Sequence, residues 1–142
     1  MAARFPFSKG SATFNNKVDM EALTFGPDMG ATYLYIGDEY NVMYQMNIAD
    51  GTLARQWDLK TDLGISTSVD KGIESIAYNV DDGLFYVGIQ EEGKVYAFTV
   101  DPACTQGSDC VATKKSDFSV AKSPSGLFYY PLQKSLYVSK ER

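Results

Sequence analysis

Apolar residues along this chain of 142 residues fall in runs of strand length, and turn-forming residues break each run. Residues 20–25, 32–37, 42–48 and 52–59 read as four successive strands. Gly26-Pro27-Asp28-Met29-Gly30 supplies a turn, because proline fixes φ and glycine accepts positive φ. Ala49-Asp50-Gly51 is a strong hairpin signal. Residues 73–78, 84–89, 94–100 and 111–118 repeat the pattern, with Asp81-Asp82-Gly83 and Glu91-Glu92-Gly93 as turns. Residues 127–130 and 136–138 begin it a third time. No segment holds a helical period over ten or more residues, so residues 60–71 read as a connection between strand groups.

The runs are also near copies of one another. Leu34-Tyr35-Ile36-Gly37, Phe85-Tyr86-Val87-Gly88 and Leu136-Tyr137-Val138-Ser139 place their tyrosines at 35, 86 and 137, two steps of 51 residues (86 − 35 and 137 − 86). Each is preceded by a matching piece: Glu21-Ala-Leu-Thr-Phe25, Glu74-Ser-Ile-Ala-Tyr78 and Ser125-Gly-Leu-Phe-Tyr129. Strands recurring at such a period mark a repeat architecture. Four-stranded antiparallel groups in series are the blades of a β-propeller. The predicted fold class is all-β: about two and a half four-stranded blades, a portion of a propeller. The expected division is an N-terminal arm over 1–17 and a partial propeller domain over 18–142. Its blades span 18–60 and 72–119, with a half-blade over 124–142. Two and a half blades do not close a ring, since closed propellers hold about four to eight. Either the chain belongs to a longer protein, or another copy completes the ring, or the blades join a larger assembly. The expected partners are therefore further blades or other chains.

Composition narrows the chemistry. Hydrophobic residues make up 44% and aromatics 13%, which excludes a disordered tail. A net charge of −5 argues against a nonspecific nucleic-acid binder, which needs a basic face. No apolar run is long enough to span a membrane, and Met1-Ala-Ala-Arg-Phe-Pro-Phe lacks the apolar centre of a signal peptide, as a processed chain also would. Cys104-Thr-Gln-Gly-Ser-Asp-Cys110 is no CxxC pair. A Cys104–Cys110 disulfide closing a polar loop is the expected arrangement, with two unpaired thiols as the alternative. The bridge implies a secreted or otherwise oxidising location.

There is no histidine. That removes Ser-His-Asp and Cys-His catalysis and histidine-ligated zinc. No phosphate-binding glycine loop is present. Trp57 reads as a packing residue, Lys114-Lys115 as a solvated strand edge, and Ser66-Thr67-Ser68 as a loop without a base to activate a serine. What is left is carboxylates, amides and backbone oxygens, which suit calcium. Glu21 and Glu74 occupy the same repeat position. Asp38-Glu39 and Gln90-Glu91 end the second strand of each blade. In a propeller, the start of each inner strand and the end of its neighbour lie at one mouth of the channel. Glu21, Glu39, Glu74 and Gln90 therefore converge there as candidate metal ligands. Carboxylates brought close repel one another unless a cation sits between them. The alternative is that each is an ordinary solvated turn residue.

Glu21-Ala-Leu-Thr-Phe, then Tyr33-Leu-Tyr-Ile-Gly-Asp-Glu39, resembles the β-propeller phytases and the phytase-like, SdiA-regulated-type propellers. These carry an Asp-x-Glu-Gly-(Leu/Ile) segment followed by a Leu-Tyr-(Ile/Val) strand ending in acidic residues. Gly72-Ile-Glu74-Ser-Ile-Ala-Tyr and Phe85-Tyr-Val-Gly-Ile-Gln90 repeat the likeness, which covers about residues 18–138. It implies a six-bladed ring with calcium near the channel mouth. It also implies that Glu21, Glu39, Glu74 and Gln90 stand at positions binding the catalytic calcium cluster. This chain departs from the pattern at Gly72, where an aspartate is expected, at Ala22 and Ser75 in place of glycine, and at Ser123 and Ser125 in the third repeat. Two classes of function follow. One is a binding or scaffold module with structural calcium. The other is a phytase-like hydrolase, in which calcium neutralises phosphate charge and activates water.

Overall fold

Among the described residues, ten strands form three antiparallel sheets with no crossover, as the repeat pattern predicts. The structure is a computed structural model and describes residues 19–68, 71–105, 110–121 and 123–141. The expected N-terminal arm over 1–17 lies outside these residues. The first sheet runs β1 (Met20–Phe25), β2 (Tyr33–Asp38), β3 (Val42–Asn47) and β4 (Leu53–Asp58). The second runs β5 (Ile73–Asn79), β6 (Leu84–Ile89), β7 (Lys94–Thr99) and β8 (Thr113–Ser119). The third is the pair β9 (Gly126–Tyr130) and β10 (Ser135–Ser139), joined through a 3-10 turn at Pro131–Gln133. The fold is thus all-β, a portion of a propeller. The innermost strands β1, β5 and β9 lie side by side.

The three tyrosines are structurally equivalent. Thr24 faces Tyr35, Ala77 faces Tyr86 and Phe128 faces Tyr137, the same register in each sheet. The glycine after each Tyr-(Ile/Val) pair has a packing reason. A Cβ on Gly37 would stand 2.7 Å from Ile73 Cγ2, and one on Gly88 would stand 2.7 Å from Pro124 Cγ. Ile73 and Pro124 hold the same repeat position in the following sheet. The bare glycine backbone is therefore the seat on which the next sheet rests.

The main core lies between the sheets. Tyr35 stacks on Trp57 at 6.2 Å between ring centroids and tilts against Phe85 at 4.8 Å, so the first sheet docks on the second through aromatic rings. Fully burying side chains such as Phe85, Phe98 and Met43 stabilises by about 1.5–3 kcal/mol each. Trp57 is fully buried, in keeping with the packing role expected of it. Ile36, Tyr44 and Met46 form a satellite cluster on the other face of the first sheet.

The connection after β4 departs from the sequence expectation. It opens with a one-turn helix, α1 (Leu59–Leu63). Asp58 caps it by accepting from Thr61 N and Oγ1, and Gly64 ends it at φ 69°. Leu59 and Leu63 point into the core. Five residues are too few to show a period, which is why the pattern reads as loop.

Cys104 and Cys110 form a disulfide in the loop between β7 and β8. Among the described residues, no helix is long and apolar enough to cross a membrane.

Candidate functional site

The channel mouth is built from one backbone device used three times. The N–H of Glu39 donates to the Asp19 carbonyl at 3.1 Å, that of Gln90 to the Gly72 carbonyl at 2.9 Å, and that of Glu141 to the Ser123 carbonyl at 3.1 Å. Each bond ties the end of a second strand to the lead-in of the innermost strand. Positions 39, 90 and 141 are 51 residues apart. Glu141 was missed in the sequence reading, although continuing the period from Gln90 (90 + 51) lands on it.

A second device aims the glutamates. The β1–β2 register slips between Met20 and Ala22, and the β5–β6 register slips between Ile73 and Ser75. Glu21 and Glu74 are the extra residues of two equivalent bulges. A bulge bends its strand and re-aims the side chain it carries. The third sheet has Ser125 at this position, outside β9.

Glu74 reports how these charges lie. Partial burial raises its carboxyl above the usual glutamate range, and the negative charges of Glu21 and Glu141 raise it further. Glu21, Glu74 and Glu141 therefore share one electrostatic neighbourhood. Gln90 is half-buried at the same strand end, and Glu39 is half-buried beside the Asp19 carbonyl contact.

The neighbouring acids are committed elsewhere. Asp38 is buried and accepts from Tyr40 N, Val42 N and the Tyr44 hydroxyl, closing its own turn. Burial outweighs these bonds and raises its carboxyl above the ordinary aspartate range. Burial first, then the charge and hydrogen bond of Asp38, hold the Tyr44 hydroxyl far up. Glu91 accepts from Ser68 N and Oγ, while Glu92 accepts from Ser66 N and the Tyr96 hydroxyl. The serine-threonine loop is thus a tie between the connection and the second sheet. Thr67 Oγ1 accepts from Asn41 Nδ2 at 2.8 Å.

The phytase resemblance implies a set of calcium ligands at this mouth. Among the described residues, no three Asp, Glu, His or Cys side chains are grouped closely enough to hold a metal ion. At position 72, a Cβ would stand 2.2 Å from the Glu39 carbonyl oxygen and 2.6 Å from Asn41 Oδ1. The aspartate of the family pattern has no room there. As it stands, the residue set does not fit a catalytic calcium cluster.

Away from the mouth, toward the turns that follow the innermost strands, runs an open groove of about 380 Å³ lined by Leu23, Phe25, Ile76, Tyr78, Leu127 and Phe128 among others. Its wall is apolar and aromatic, and sequence reasoning aimed at chemistry passed over it.

No known family's sequence pattern matches the chain, and no curated protein sequence matches it. Solved structures do. Hydrazine synthase of Kuenenia stuttgartiensis superposes with a TM-score of 0.58 at 18% identity, covering 94% of this chain and 32% of that one. The WD40 repeats of RRP9 superpose with a TM-score of 0.58 at 11% identity, covering 86% and 32%. The chain thus spans about a third of the length of each. At such identities the likeness concerns the fold alone, that of propeller blades.

Proposed function

We propose that the chain is a binding or scaffold module, a propeller portion that works through its apolar groove and its end sheets once further blades or other chains complete it. The observation that carries this reading is the apolar wall formed jointly by β1, β5 and β9. A concave apolar surface with few polar groups is the usual form of a binding site. The disulfide fits a secreted or otherwise oxidising location.

A second reading, calcium held at the mouth by Glu21, Glu39, Glu74 and Gln90, is favoured by the raised carboxyl of Glu74, which a cation would relieve. Calcium takes about six to eight oxygens, so waters or further blades must add to this set.

A phosphatase assay on the purified assembly, with and without calcium, tests the choice. The binding module releases no phosphate from phytate in either condition. Calcium-dependent turnover that falls in Glu74→Gln overturns it in favour of the hydrolase. A calcium-dependent rise in Tm that Glu74→Gln abolishes is the result expected of structural calcium.

A further inference from the structure

We propose that the Cys104–Cys110 bridge is a redox clasp: a thiol reductant opens it and frees the first sheet from the second, while each sheet keeps its own strand pairing. This device goes beyond the binding module and stands whether or not the groove takes a partner.

The bridge joins two arms that both hold the first sheet. The arm leaving β7 turns at Asp101, whose Oδ1 accepts from Ala103 N at 2.9 Å and whose carbonyl accepts from Cys104 N at 3.3 Å. This turn presents two carbonyls to the first sheet. Pro102 O accepts from Gln45 Nε2 at 3.3 Å, and Cys104 O accepts from Arg55 Nε at 2.7 Å. The arm entering β8 holds α1, because Ala112 N donates to Asp62 Oδ2 at 2.7 Å. Helix α1 is tied in turn to the first sheet, since Leu59 N donates to the Asn41 carbonyl at 3.0 Å. Gln45, Cys104 and Ala112 are all buried, so breaking either grip alone leaves polar groups unpaired. Closed, the disulfide makes the two grips one unit. Open, each arm is held only by its own bonds.

Access selects one sulfur. Cys104 is 5% exposed and belongs to the core, while Cys110 is only partly buried at the margin of that core. A thiolate from solvent attacks Cys110 Sγ, the S–S bond breaks, and Cys104 leaves as a thiolate that takes a proton. A second thiolate attacks the external sulfur of the mixed disulfide and releases Cys110, which takes another proton. Two thiols are thereby oxidised to one disulfide, and the bridge is reduced by two electrons. The cysteines lie six residues apart, so the bridge closes a short loop and its opening removes only a small part of the constraint on the unfolded chain. In an oxidising location the clasp is closed; thiol opens it and leaves the strands in place.

Titration of the native chain with dithiothreitol, trapped with iodoacetamide and read by mass spectrometry and hydrogen exchange, tests this. The bridge is expected to reduce without denaturant and to reform with oxidised glutathione. Far-UV circular dichroism should be kept. Exchange in β4, in α1 and at Ala112 should rise by about tenfold or more, within the reach of a short-loop constraint, while β5 and β6 change far less. In Arg55→Ala the grip on Cys104 is already lost, so reduction should add little at β4. Asp62→Ala gives the same test at Ala112 should the first variant fail to fold. A bridge that dithiothreitol does not reach in the folded chain overturns the proposal, as does a reduced chain that loses its circular dichroism. Equal exchange at β4 and Ala112 in both redox forms, or a response to reduction that neither substitution diminishes, overturns it too.

Discussion

Gly72 shows how one residue separates this site from the family it resembles. The position is filled by the Glu39 carbonyl and the Asn41 side chain, and one contact is to backbone that cannot swing aside. Gly72→Ala is expected to cost about 1–3 kcal/mol through overpacking, read as a lower midpoint in urea. Glu74 makes an electrostatic prediction. Its folded carboxyl lies above the usual value of 4.5 through burial and the charges of Glu21 and Glu141. Its neutral form is the favoured one in the fold. The stability that form contributes is fully present below the unfolded carboxyl's range and is lost as pH rises through the raised folded value. At neutral pH the ionised group therefore costs stability. Without calcium, Glu74→Gln should melt higher than wild type at pH 7, and the gap should close in acid. If calcium binds at the mouth, its addition should reverse the order, because the metal stabilises only the chain that holds it. A wild type that melts higher at pH 7 without calcium would show that Glu74 is not under like-charge stress.

Single elements carry the contacts between sheets, and the disulfide loop is the clearest of them. Beyond closing a turn between β7 and β8, it reaches back to the first sheet. Pro102 O accepts from Gln45 Nε2 at 3.3 Å, and Cys104 O accepts from Arg55 Nε at 2.7 Å. Arg55 Nη1 also donates to Gln45 Oε1 at 2.8 Å, so the guanidinium fork holds both partners. Replacing both cysteines by serine should cost about 2 kcal/mol for so short a loop. If the bridge clasps the sheets, that loss and the loss from Arg55→Ala should fall short of additive in a double-mutant cycle. Full additivity would make the loop a bystander. The bridge itself was legible in the spacing of the cysteines, but its reach onto Arg55 and Gln45 was not, since those partners lie 49 and 57 residues away in the chain. The strands were legible because turn residues break the apolar runs at every corner. Helix α1 was hidden because its stability comes from a capping aspartate and two buried leucines, without a periodic stripe. At the mouth, repeat position found Glu21 and Glu74. It did not show that both sit in bulges, because a bulge is a property of strand pairing.

At the scale of the whole molecule the sheets pack in chain order, the first on the second through β1 and β5 and the second on the third through β5 and β9, so stability approximates a sum of sheet and interface contributions. The third sheet is the weak end of that row. Among the described residues it has two strands, and none pairs with the outer edge of β10. In β9 and β10 only Tyr129 is buried, and two polar contacts help to hold this sheet on the second. The Tyr129 hydroxyl donates to Asp81 Oδ2 at 2.6 Å, a bond that pushes the phenol up to about 12. Ser75 Oγ donates to the Pro124 carbonyl, and Gly88 leaves the space that Pro124 fills. Local opening should therefore begin here, because the regions with fewest buried contacts open first. Hydrogen exchange on the single chain is expected to show β9 and β10 exchanging well before β5 and β6. Gly88→Ala should widen that difference, since its Cβ would press on Pro124 Cγ at 2.7 Å and on the carbonyl oxygen at 2.8 Å. Exchange in β2 and β3 should change little, because the contact of Gly88 with Pro124 lies between the second sheet and the lead-in to the third. Uniform exchange across all three sheets would mean that the chain opens as one cooperative unit, and the description as a row of separable sheets would fail.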